Sequence, residues 1–270
     1  RAEPGRAEPG RAEPGRGEPG RGEPGRGEPG RGEPGRGEPA PLANCLEPGS
    51  TPGRVEPALL AKRADPDLAS GRAEQTGPDL VFRADVSDPQ ANLDAVAATV
   101  SRYGRLDLAV LNAGIPGRCG LDDFTVDGYR ATMGTNLDGV VFGLHACRPH
   151  LRGHGSVTVI ASIAGLTGSP DVFYATSKHA LIGLVRSAAP ALAAEGIRIN
   201  ALCPGLVDTP ALASLAPALR ARGFLLADPA EVADAAEVVL ADERTGLVWT
   251  VQAGKAAYPA ELPELALPGG

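Results

Sequence analysis

The chain has 270 residues and a formal net charge of −7 at pH 7, with a sequence pI near 5.2. Lys and Arg form no cluster beyond the N-terminal repeat, so the composition disfavours binding to nucleic acid or to an anionic membrane surface. No apolar run could span a bilayer, and the four cysteines are scattered without a CxxC pair, which favours a cytoplasmic protein with free thiols.

Residues 1–40 are eight copies of a five-residue repeat, Arg-(Ala/Gly)-Glu-Pro-(Gly/Ala), and a tract rich in Pro and Gly continues to residue 57. Each copy balances one Arg against one Glu and has no large apolar side chain, so burial cannot offset the entropy lost on ordering. We therefore predict that residues 1–57 are disordered, that residues 58–257 form one domain, and that residues 258–270 are a tail. Several glycines of the repeat fit the spacing G-x-G-x-x-G, but a proline in each copy excludes the strand and helix that this motif needs.

After the repeat, apolar runs alternate with segments of helical spacing. The predicted strands are residues 80–82, 106–111, 157–161, 197–202 and 247–252, with a weaker candidate at 58–61. The first predicted helix begins at Pro89, the second covers about 126–151, the third carries Tyr174 and should kink or end at Pro190, and the last covers 230–240. Because the strands are apolar throughout and alternate with helices, the predicted fold class is α/β, with a doubly wound, mostly parallel, Rossmann-like sheet.

One stretch concentrates the polar chemistry. Tyr174 and Lys178 are four residues apart and share one face of a helix, while Ser162 ends the preceding strand, where open α/β sheets bind ligands. A phenol, an ammonium and a hydroxyl in this arrangement indicate proton transfer to or from a substrate oxygen. Taken alone, a Tyr-x-x-x-Lys pair is more often a packed tyrosine beside a solvated lysine, and Asn-Ala-Gly or Pro-Gly after a strand is more often only a turn. The position of every motif at a strand end, or on the following helix, favours a functional site.

Residues from about 80 to 255 resemble a short-chain dehydrogenase/reductase of the compact, single-domain kind. The resemblance rests on Asp85-Val86 after the third family strand, Asn112-Ala113-Gly114 after the fourth, Asn136, Ser162, Tyr174-x-x-x-Lys178, and the segment Pro204-Gly205-Leu206-Val207-Asp208-Thr209. The combination of these motifs, in this order, is specific to the family.

The resemblance implies an oxidoreductase that uses NAD or NADP to interconvert an alcohol and a ketone or aldehyde. Tyr174 would be the general acid for reduction and the base for oxidation, with its phenol made more acidic by the cation of Lys178. Ser162 would hydrogen-bond the substrate oxygen, and Asn136 would hold a water that links Lys178 to solvent. The implied partners are a small alcohol or carbonyl substrate and further copies of the chain, in a homodimer or homotetramer formed by the two long helices.

The resemblance also assigns residues to the cofactor. The adenine would lie against Asp85 and Val86, the nicotinamide ribose would contact Tyr174 and Lys178, and the carboxamide would bond Thr209. The segment from about 210 to 226 would be the substrate lid. The full set of expected cofactor-binding residues is Asp85, Val86, Asn112, Ala113, Gly114, Tyr174, Lys178, Pro204, Gly205, Val207 and Thr209.

The sequence departs from the family on its N-terminal side. The family's turn, Gly-x-x-x-Gly-x-Gly, holds the pyrophosphate through backbone amides, and residues 1–79 contain no such pattern. We therefore expect the first strand–helix–strand unit to be missing or replaced, and the chain to bind NAD(P)H weakly and to aggregate readily.

The alternative function is a non-enzymatic Rossmann-like remnant that binds no dinucleotide and serves at most as a partner subunit. No metal is expected, because His145, His150, His154 and Cys147 fit no closed zinc site.

Overall fold

In a computed structural model of the chain, the described residues are 73–76 and 79–263. They all fall in the second of the two units into which the chain divides, residues 40–270. The predicted disordered tract at 1–57 and the candidate strand at 58–61 lie outside the described residues.

The first two strands form a small sheet of their own. β1 (Ala73–Thr76) pairs antiparallel with β2 (Asp79–Phe82). The strand predicted at 80–82 is therefore present, but the prediction that it joins the parallel sheet is wrong. Pairing between strands so close in sequence closes only a short loop, so it costs little conformational entropy.

A five-stranded sheet organises the rest of the described chain, and its spatial order follows the sequence. Its members are β3 (Leu108–Leu111), β4 (Ser156–Ile160), β5 (Arg198–Pro204), β6 (Val248–Gln252) and β7 (Lys255–Pro259). The strands from β3 to β6 pair in parallel, so the predicted α/β fold with a mostly parallel sheet is confirmed.

β7 was not predicted from the sequence. It turns back from β6 at Gly254, which has a φ of +69°, and pairs antiparallel with β6. Its first residues, Lys-Ala-Ala, lack the β-branched and aromatic side chains that signal a strand. Because β7 runs to Pro259, Tyr258 and Pro259 belong to the sheet and not to the tail predicted at 258–270.

The helices begin at recognisable sequence signals. α1 (Pro89–Tyr103) follows Asp88, whose carboxylate accepts a hydrogen bond from the Gln90 amide (2.9 Å), and it ends before Gly104 at φ +79°. The others are α2 (Val126–Met133), α3 (Gly139–Leu151), α4 (Val172–Ala193), α5 (Ala216–Ala221) and α6 (Pro229–Ala241), with a π-helical turn (Gly134–Asp138) joining α2 to α3. The helix predicted at 126–151 is thus present but contains one wide turn. α4 continues past Pro190 before it ends.

Helices cover both faces of the sheet. On one face α3 and α4 pack on the parallel strands, and Leu151, Leu181 and Ile199 are fully buried between the layers. On the other face Val239 of α6 packs against Trp249 of β6. Burial of these large side chains supplies most of the stabilisation, and the two-sided cover is the doubly wound arrangement that the sequence predicts.

β3 is the end strand of this sheet among residues 73–76 and 79–263. Its alternate residues Leu108 and Val110 are 52% and 46% exposed, whereas Ala109 and Leu111 pack towards the core. One face of the strand is therefore open, which is unusual for two large aliphatic side chains in a parallel sheet.

Two further properties concern only the described residues. His, Cys, Asp and Glu side chains form no group there that could hold a metal ion. None of the helices in that part of the chain is both long enough and apolar enough to cross a membrane.

Candidate active site

The Ser162 hydroxyl lies at the carboxyl end of β4. Its backbone is extended, and its side chain accepts a hydrogen bond from the Ala164 amide (3.1 Å), which caps the short 3₁₀ turn Ile163–Gly165. Parallel strands end together at one edge of a sheet, so Ser162 sits where ligands bind in folds of this kind. The turn fixes the hydroxyl at that edge and directs the chain towards α4.

Tyr174 and Lys178 lie one turn apart on α4, as predicted. Asp171 precedes this helix, and its carboxylate accepts a hydrogen bond from the Tyr174 amide (3.2 Å). Lys178 Nζ lies 5.6 Å from the centroid of the Tyr174 ring and donates to the Ile160 carbonyl oxygen (3.0 Å). Lys178 is only 4% exposed, so its ammonium group is held inside the protein at the end of β4.

Burial dominates the electrostatics of these two side chains. It lowers the pKa of Lys178 from 10.5 to about 8, which the neighbouring Cys203 partly opposes. Burial also raises the pKa of Tyr174; a hydrogen bond with Ser162 lowers it, and Asp171 and Cys203 raise it further. The expectation that the phenol is more acidic than usual is therefore wrong here, because the cost of burying a phenolate outweighs the groups that favour it. The phenol is protonated at neutral pH.

Asn136 ties the loop after β3 to α4. It is fully buried in the π-helical turn, and its Oδ1 accepts a hydrogen bond from the Ile115 amide (2.7 Å). Its Nδ2 donates to the Ile115 carbonyl oxygen (2.9 Å) and to Ser177 Oγ (3.1 Å). Ser177 Oγ in turn donates to the Tyr174 carbonyl oxygen (2.7 Å). The side-chain amide is therefore fully engaged in holding the protein together.

The loop at residues 112–114 lies against the same cluster. All three residues are exposed and follow directly on β3. A Cβ built on Gly114 would lie 3.4 Å from Lys178 Nζ and 3.4 Å from Asn136 Oδ1. The structure thus places this loop directly beside Lys178 and Asn136, two of the four predicted catalytic residues.

The predicted cofactor residues after β5 lie at the carboxyl end of that strand and in the segment that follows it. Pro204 ends the strand, and the Gly205 amide donates a hydrogen bond to the backbone of β6 (2.9 Å). Val207 forms a parallel bridge with Ala227, and Thr209 begins a 3₁₀ turn. The predicted lid contains this turn and α5, and its two ends are held together by the bridge.

Asp85 and Val86, the predicted adenine contacts, make local contacts. The Asp85 carboxylate accepts hydrogen bonds from the Ser87 amide (2.9 Å) and Ser87 Oγ (2.7 Å). Val86 packs against the start of α3, where a Cβ on Gly139 would lie 2.7 Å from Val86 Cγ2. The structure does not bring either residue into contact with Ser162 or Tyr174, and their role stays a prediction.

Sequence reasoning missed three side chains of this site. Cys203 is fully buried on β5; burial raises its pKa to about 11, against the hydrogen bond from the Ser162 backbone and the charge of Lys178. Ser177 could have been found, because it lies three residues after Tyr174 and so on the same side of the helix. Asp171 could also have been found, because an Asp directly before a helical segment is a capping signal.

A glycine-to-alanine exchange tests how closely α4 packs on the Ser162 turn. A Cβ on Gly165 would lie 2.6 Å from the Lys178 carbonyl oxygen and 2.8 Å from its carbon. We expect Gly165→Ala to lower the free energy of unfolding by about 1–3 kcal/mol, because backbone would have to move apart. Gly168→Ala is the matched control, since a Cβ there meets nothing within 4 Å. Urea denaturation measures both, and equal stability of the two variants would contradict the close contact.

Comparison with known proteins identifies the class of this fold and site. Residues 59–254 match a family model described as Enoyl-(Acyl carrier protein) reductase. A 2-(R)-hydroxypropyl-CoM dehydrogenase from Xanthobacter autotrophicus is 40% identical over 137 residues, 48% of this chain and 55% of that protein. A cyclohexanol dehydrogenase from Acinetobacter sp. is 33% identical over 186 residues, 66% of this chain and 74% of that protein. The chain thus spans about half the length of the first of these relatives.

Solved structures show the same relationship. The structure titled ElxO with NADP bound has a TM-score of 0.57 and 29% identity, and the match covers 64% of this chain and 76% of that one. Levodione reductase has a TM-score of 0.58 and 31% identity, over 63% of this chain and 74% of that one. The fold is therefore Rossmann-like. The chain belongs to the short-chain dehydrogenase/reductase family.

Proposed function

We propose that the chain is an NAD(P)-dependent oxidoreductase that interconverts an alcohol and a ketone or aldehyde, with Tyr174 as the general acid and base. The observation that carries the proposal is the joint position of Ser162 and Tyr174 at the end of β4, with the buried Lys178 ammonium behind the phenol ring. Relatives named for cyclohexanol and for diacetyl support a small ketone or secondary alcohol as the substrate.

In the proposed reaction, the Ser162 hydroxyl and the Tyr174 phenol both bond the substrate oxygen. For reduction, Tyr174 donates its proton to that oxygen as negative charge develops there, and Ser162 holds the oxygen in place. For oxidation, the phenolate takes the proton from the alcohol. Because burial raises the pKa of Tyr174, the phenol is ready to donate at neutral pH. We therefore propose that neutral pH favours reduction and that oxidation needs alkaline pH.

Lys178 and Asn136 would support this proton transfer indirectly, Lys178 through its charge and Asn136 through a water held nearby. The Lys178 ammonium lies close enough to favour the phenolate once it forms, because the attraction between two charges is stronger when protein surrounds them than in bulk water. The Asn136 amide is already bonded to Ile115 and Ser177, so a water at this position would have to bond the backbone carbonyl of the π-helical turn. We propose that such a water carries protons between Lys178 and solvent.

The residues around this cluster fit the nicotinamide half of a dinucleotide. When bound, NAD(P) gives or takes the hydride of the reaction. Gly114 leaves room beside Lys178 that a Cβ would fill, and the exposed backbone of residues 112–114 is open to a ligand. Lys178 and Tyr174 would hold the ribose, Thr209 the carboxamide, and Asp85 and Val86 the adenine. The segment from Pro204 to Val207 would line the opposite side.

One observation favours the alternative, a Rossmann-like remnant without dinucleotide binding. Within residues 73–76 and 79–263, no strand pairs with the outer edge of β3, and no glycine-rich turn stands beside it. Leu108 and Val110 are correspondingly exposed. In this class of fold, backbone amides of such a turn bind the pyrophosphate. A measurement of dinucleotide binding therefore distinguishes the enzyme from the remnant, whereas the presence of the catalytic residues does not.

Two measurements on the full chain test the proposal. NADH and NADPH are titrated by cofactor fluorescence, and reduction of cyclohexanone and diacetyl is followed by loss of NAD(P)H absorbance. Saturable binding with turnover supports the enzyme, whereas the absence of both binding and turnover supports the remnant.

Ser162→Ala is expected to bind NAD(P)H normally and to lose about 10- to 1,000-fold in kcat, because it removes one donor to the substrate oxygen. A Ser162→Ala protein with full kcat would contradict the assigned role. The dimer or tetramer implied by resemblance stays a prediction for light scattering.

A further inference from the structure

We propose that Asp171 is a positioning residue of this site: its carboxylate clamps the loop after β3 to the first turn of the helix that carries Tyr174. The inference rests on the proposed function. It concerns which part of the chain keeps the substrate side of the site in place, since Ser162 and Tyr174 can act together only if the surrounding loop holds the substrate oxygen between them.

The clamp consists of two hydrogen bonds from one carboxylate. Asp171 Oδ1 accepts from the Tyr174 amide (3.2 Å), and Asp171 Oδ2 accepts from the Gly117 amide (2.8 Å), 54 positions away in sequence. The carboxylate is half-buried and stands at the N-terminus of α4, where the helix dipole favours a negative charge. One side chain therefore joins the loop after β3 to the first turn of α4.

Gly117 fits the same carboxylate by its lack of a side chain. A Cβ there would lie 2.0 Å from Asp171 Oδ1 and 2.8 Å from its Cγ. An alanine at 117 could be accommodated only if the carboxylate left its position. The glycine and the aspartate thus form a matched pair, and the clamp requires both.

The loop is fixed on both sides of Gly117. The Ile115 amide bonds Asn136 Oδ1 (2.7 Å), and the Arg118 amide bonds Thr132 Oγ1 (3.1 Å). Without the Asp171 contact, no backbone amide of the loop would bond the first turn of α4, and the loop would be joined to that helix only indirectly, through Asn136, which also donates to Ser177 Oγ. The separation between residues 116–118 and the Tyr174 phenol would then vary more, and small displacements of reacting groups reduce rates strongly.

An aromatic contact accompanies the polar one. Phe173, next to Tyr174, packs edge-on against Tyr129 (5.3 Å between centroids) and against Phe124 (5.7 Å). These rings come from the end of the loop and from α2, so they hold the same two segments together on another side. Loss of Asp171 should therefore loosen the loop locally without unfolding the domain.

Asp171 also acts through its charge. The titratable and charged groups that face Tyr174 are Lys178 on the same helix, Cys203 on β5 and Asp171 itself, and the negative charge of Asp171 contributes to the raised pKa of the phenol. A neutral residue at 171 should lower the pKa of Tyr174. The phenolate needed for oxidation would then form at lower pH, so the acid limb of the oxidation profile should move to lower pH.

The test uses Asp171→Ser and Asp171→Asn in the full chain, with Asp88→Ser as the matched control. Serine still caps the helix but is too short to reach Gly117, and asparagine keeps the size but removes the charge and one acceptor. Asp88 likewise caps a helix through one amide, that of Gln90, and contacts nothing in this loop. Amide hydrogen exchange across residues 112–120 should be about 10-fold faster in Asp171→Ser and unchanged in Asp88→Ser, as expected for loss of one charge-assisted hydrogen bond.

Activity gives the second readout. Both Asp171 variants should lose about 10- to 100-fold in kcat/KM for reduction, and Asp171→Asn should shift the acid limb of oxidation to lower pH, whereas Asp88→Ser should do neither.

A double variant gives the third readout. Gly117→Ala should lower kcat/KM when Asp171 is present but should lower it little further in Asp171→Ser, because the carboxylate that occupies the space is gone. Unchanged exchange in Asp171→Ser, or additive effects in the double variant, would overturn the clamp. Absence of NAD(P)-dependent turnover in the wild type would overturn the proposed function, while the exchange result would still decide whether the clamp exists.

Discussion

Replacing Tyr174 with Phe is expected to reduce NAD(P)-dependent turnover by about 10²- to 10⁴-fold, the usual contribution of a general acid or base. The change removes only the phenolic oxygen. The ring keeps its position on α4 beside Lys178, and the helix keeps its cap at Asp171, so packing is nearly unchanged. The loss would therefore report on the proton donor itself. Steady-state kinetics with a ketone and NAD(P)H measures it, with urea denaturation to show that the fold is retained.

Tyr129→Phe is the matched control for this prediction. Tyr129 packs edge-on against Phe173, the residue next to Tyr174, so its ring lies in the same aromatic cluster. We expect removal of its hydroxyl to change kcat/KM by less than about 3-fold, since exposed or unbonded polar groups contribute little. Full activity in Tyr174→Phe, or an equal loss in both variants, would remove Tyr174 from the mechanism.

The sequence predicted most of the sheet because the relevant signals are local. Four apolar runs became parallel strands, and helix starts at Pro89 and near Pro229 follow from an Asp cap and a proline. The features that the sequence could not predict depend on which segments pair with each other in the folded chain. The strand at 80–82 looks the same whether it pairs with a sequence neighbour or with a distant strand, and only the pairing found here, with β1, distinguishes the two.

The candidate site divides in the same way. Ser162, Tyr174 and Lys178 could be predicted because their residue types and spacing carry the chemistry. The direction of the Tyr174 pKa could not, since it depends on how much protein surrounds the phenol. The contact between Asp171 and Gly117 joins segments far apart in sequence, and neither residue is unusual where it stands. The π-helical turn around Asn136 is also invisible to a pattern search, because its five residues fit an ordinary helix equally well.

Replacing Lys178 with Met is expected to abolish turnover and yet to stabilise the protein at neutral pH. The ammonium group is almost fully buried, and burial lowers its pKa from 10.5 to about 8. At about 1.4 kcal/mol per pH unit, keeping this group charged costs about 3 kcal/mol. Methionine has a similar shape and no charge. It leaves the Ile160 carbonyl without its hydrogen bond (3.0 Å), a loss of about 1–2 kcal/mol. The expected net gain below pH 8 is therefore about 1–2 kcal/mol.

The sign of this difference should change with pH. The pKa of Lys178 is lower in the folded protein than in the unfolded chain, so between about pH 8 and pH 10.5 the unfolded chain binds more protons, and wild-type stability rises relative to the variant as pH increases. At the top of that window the wild-type amine is neutral and still donates to Ile160, so the wild type should become the more stable protein by about 1–2 kcal/mol.

Burial raises the pKa of Cys147 to about 11, and this thiol titrates in both proteins. Its contribution cancels when the free energies of unfolding of the wild type and of Lys178→Met are subtracted at each pH. Urea denaturation at pH 7 and at pH 10 provides the two values. Lys255→Met, an exposed lysine on β7, is the control and should change the free energy of unfolding by less than about 0.5 kcal/mol at either pH. A Lys178→Met protein that is less stable at pH 7, or equally shifted at both pH values, would show that the ammonium is not held in the protein at a cost. A reversal of sign would mean that this charge is kept in the buried site against stability, as expected of a group retained for the chemistry at Tyr174.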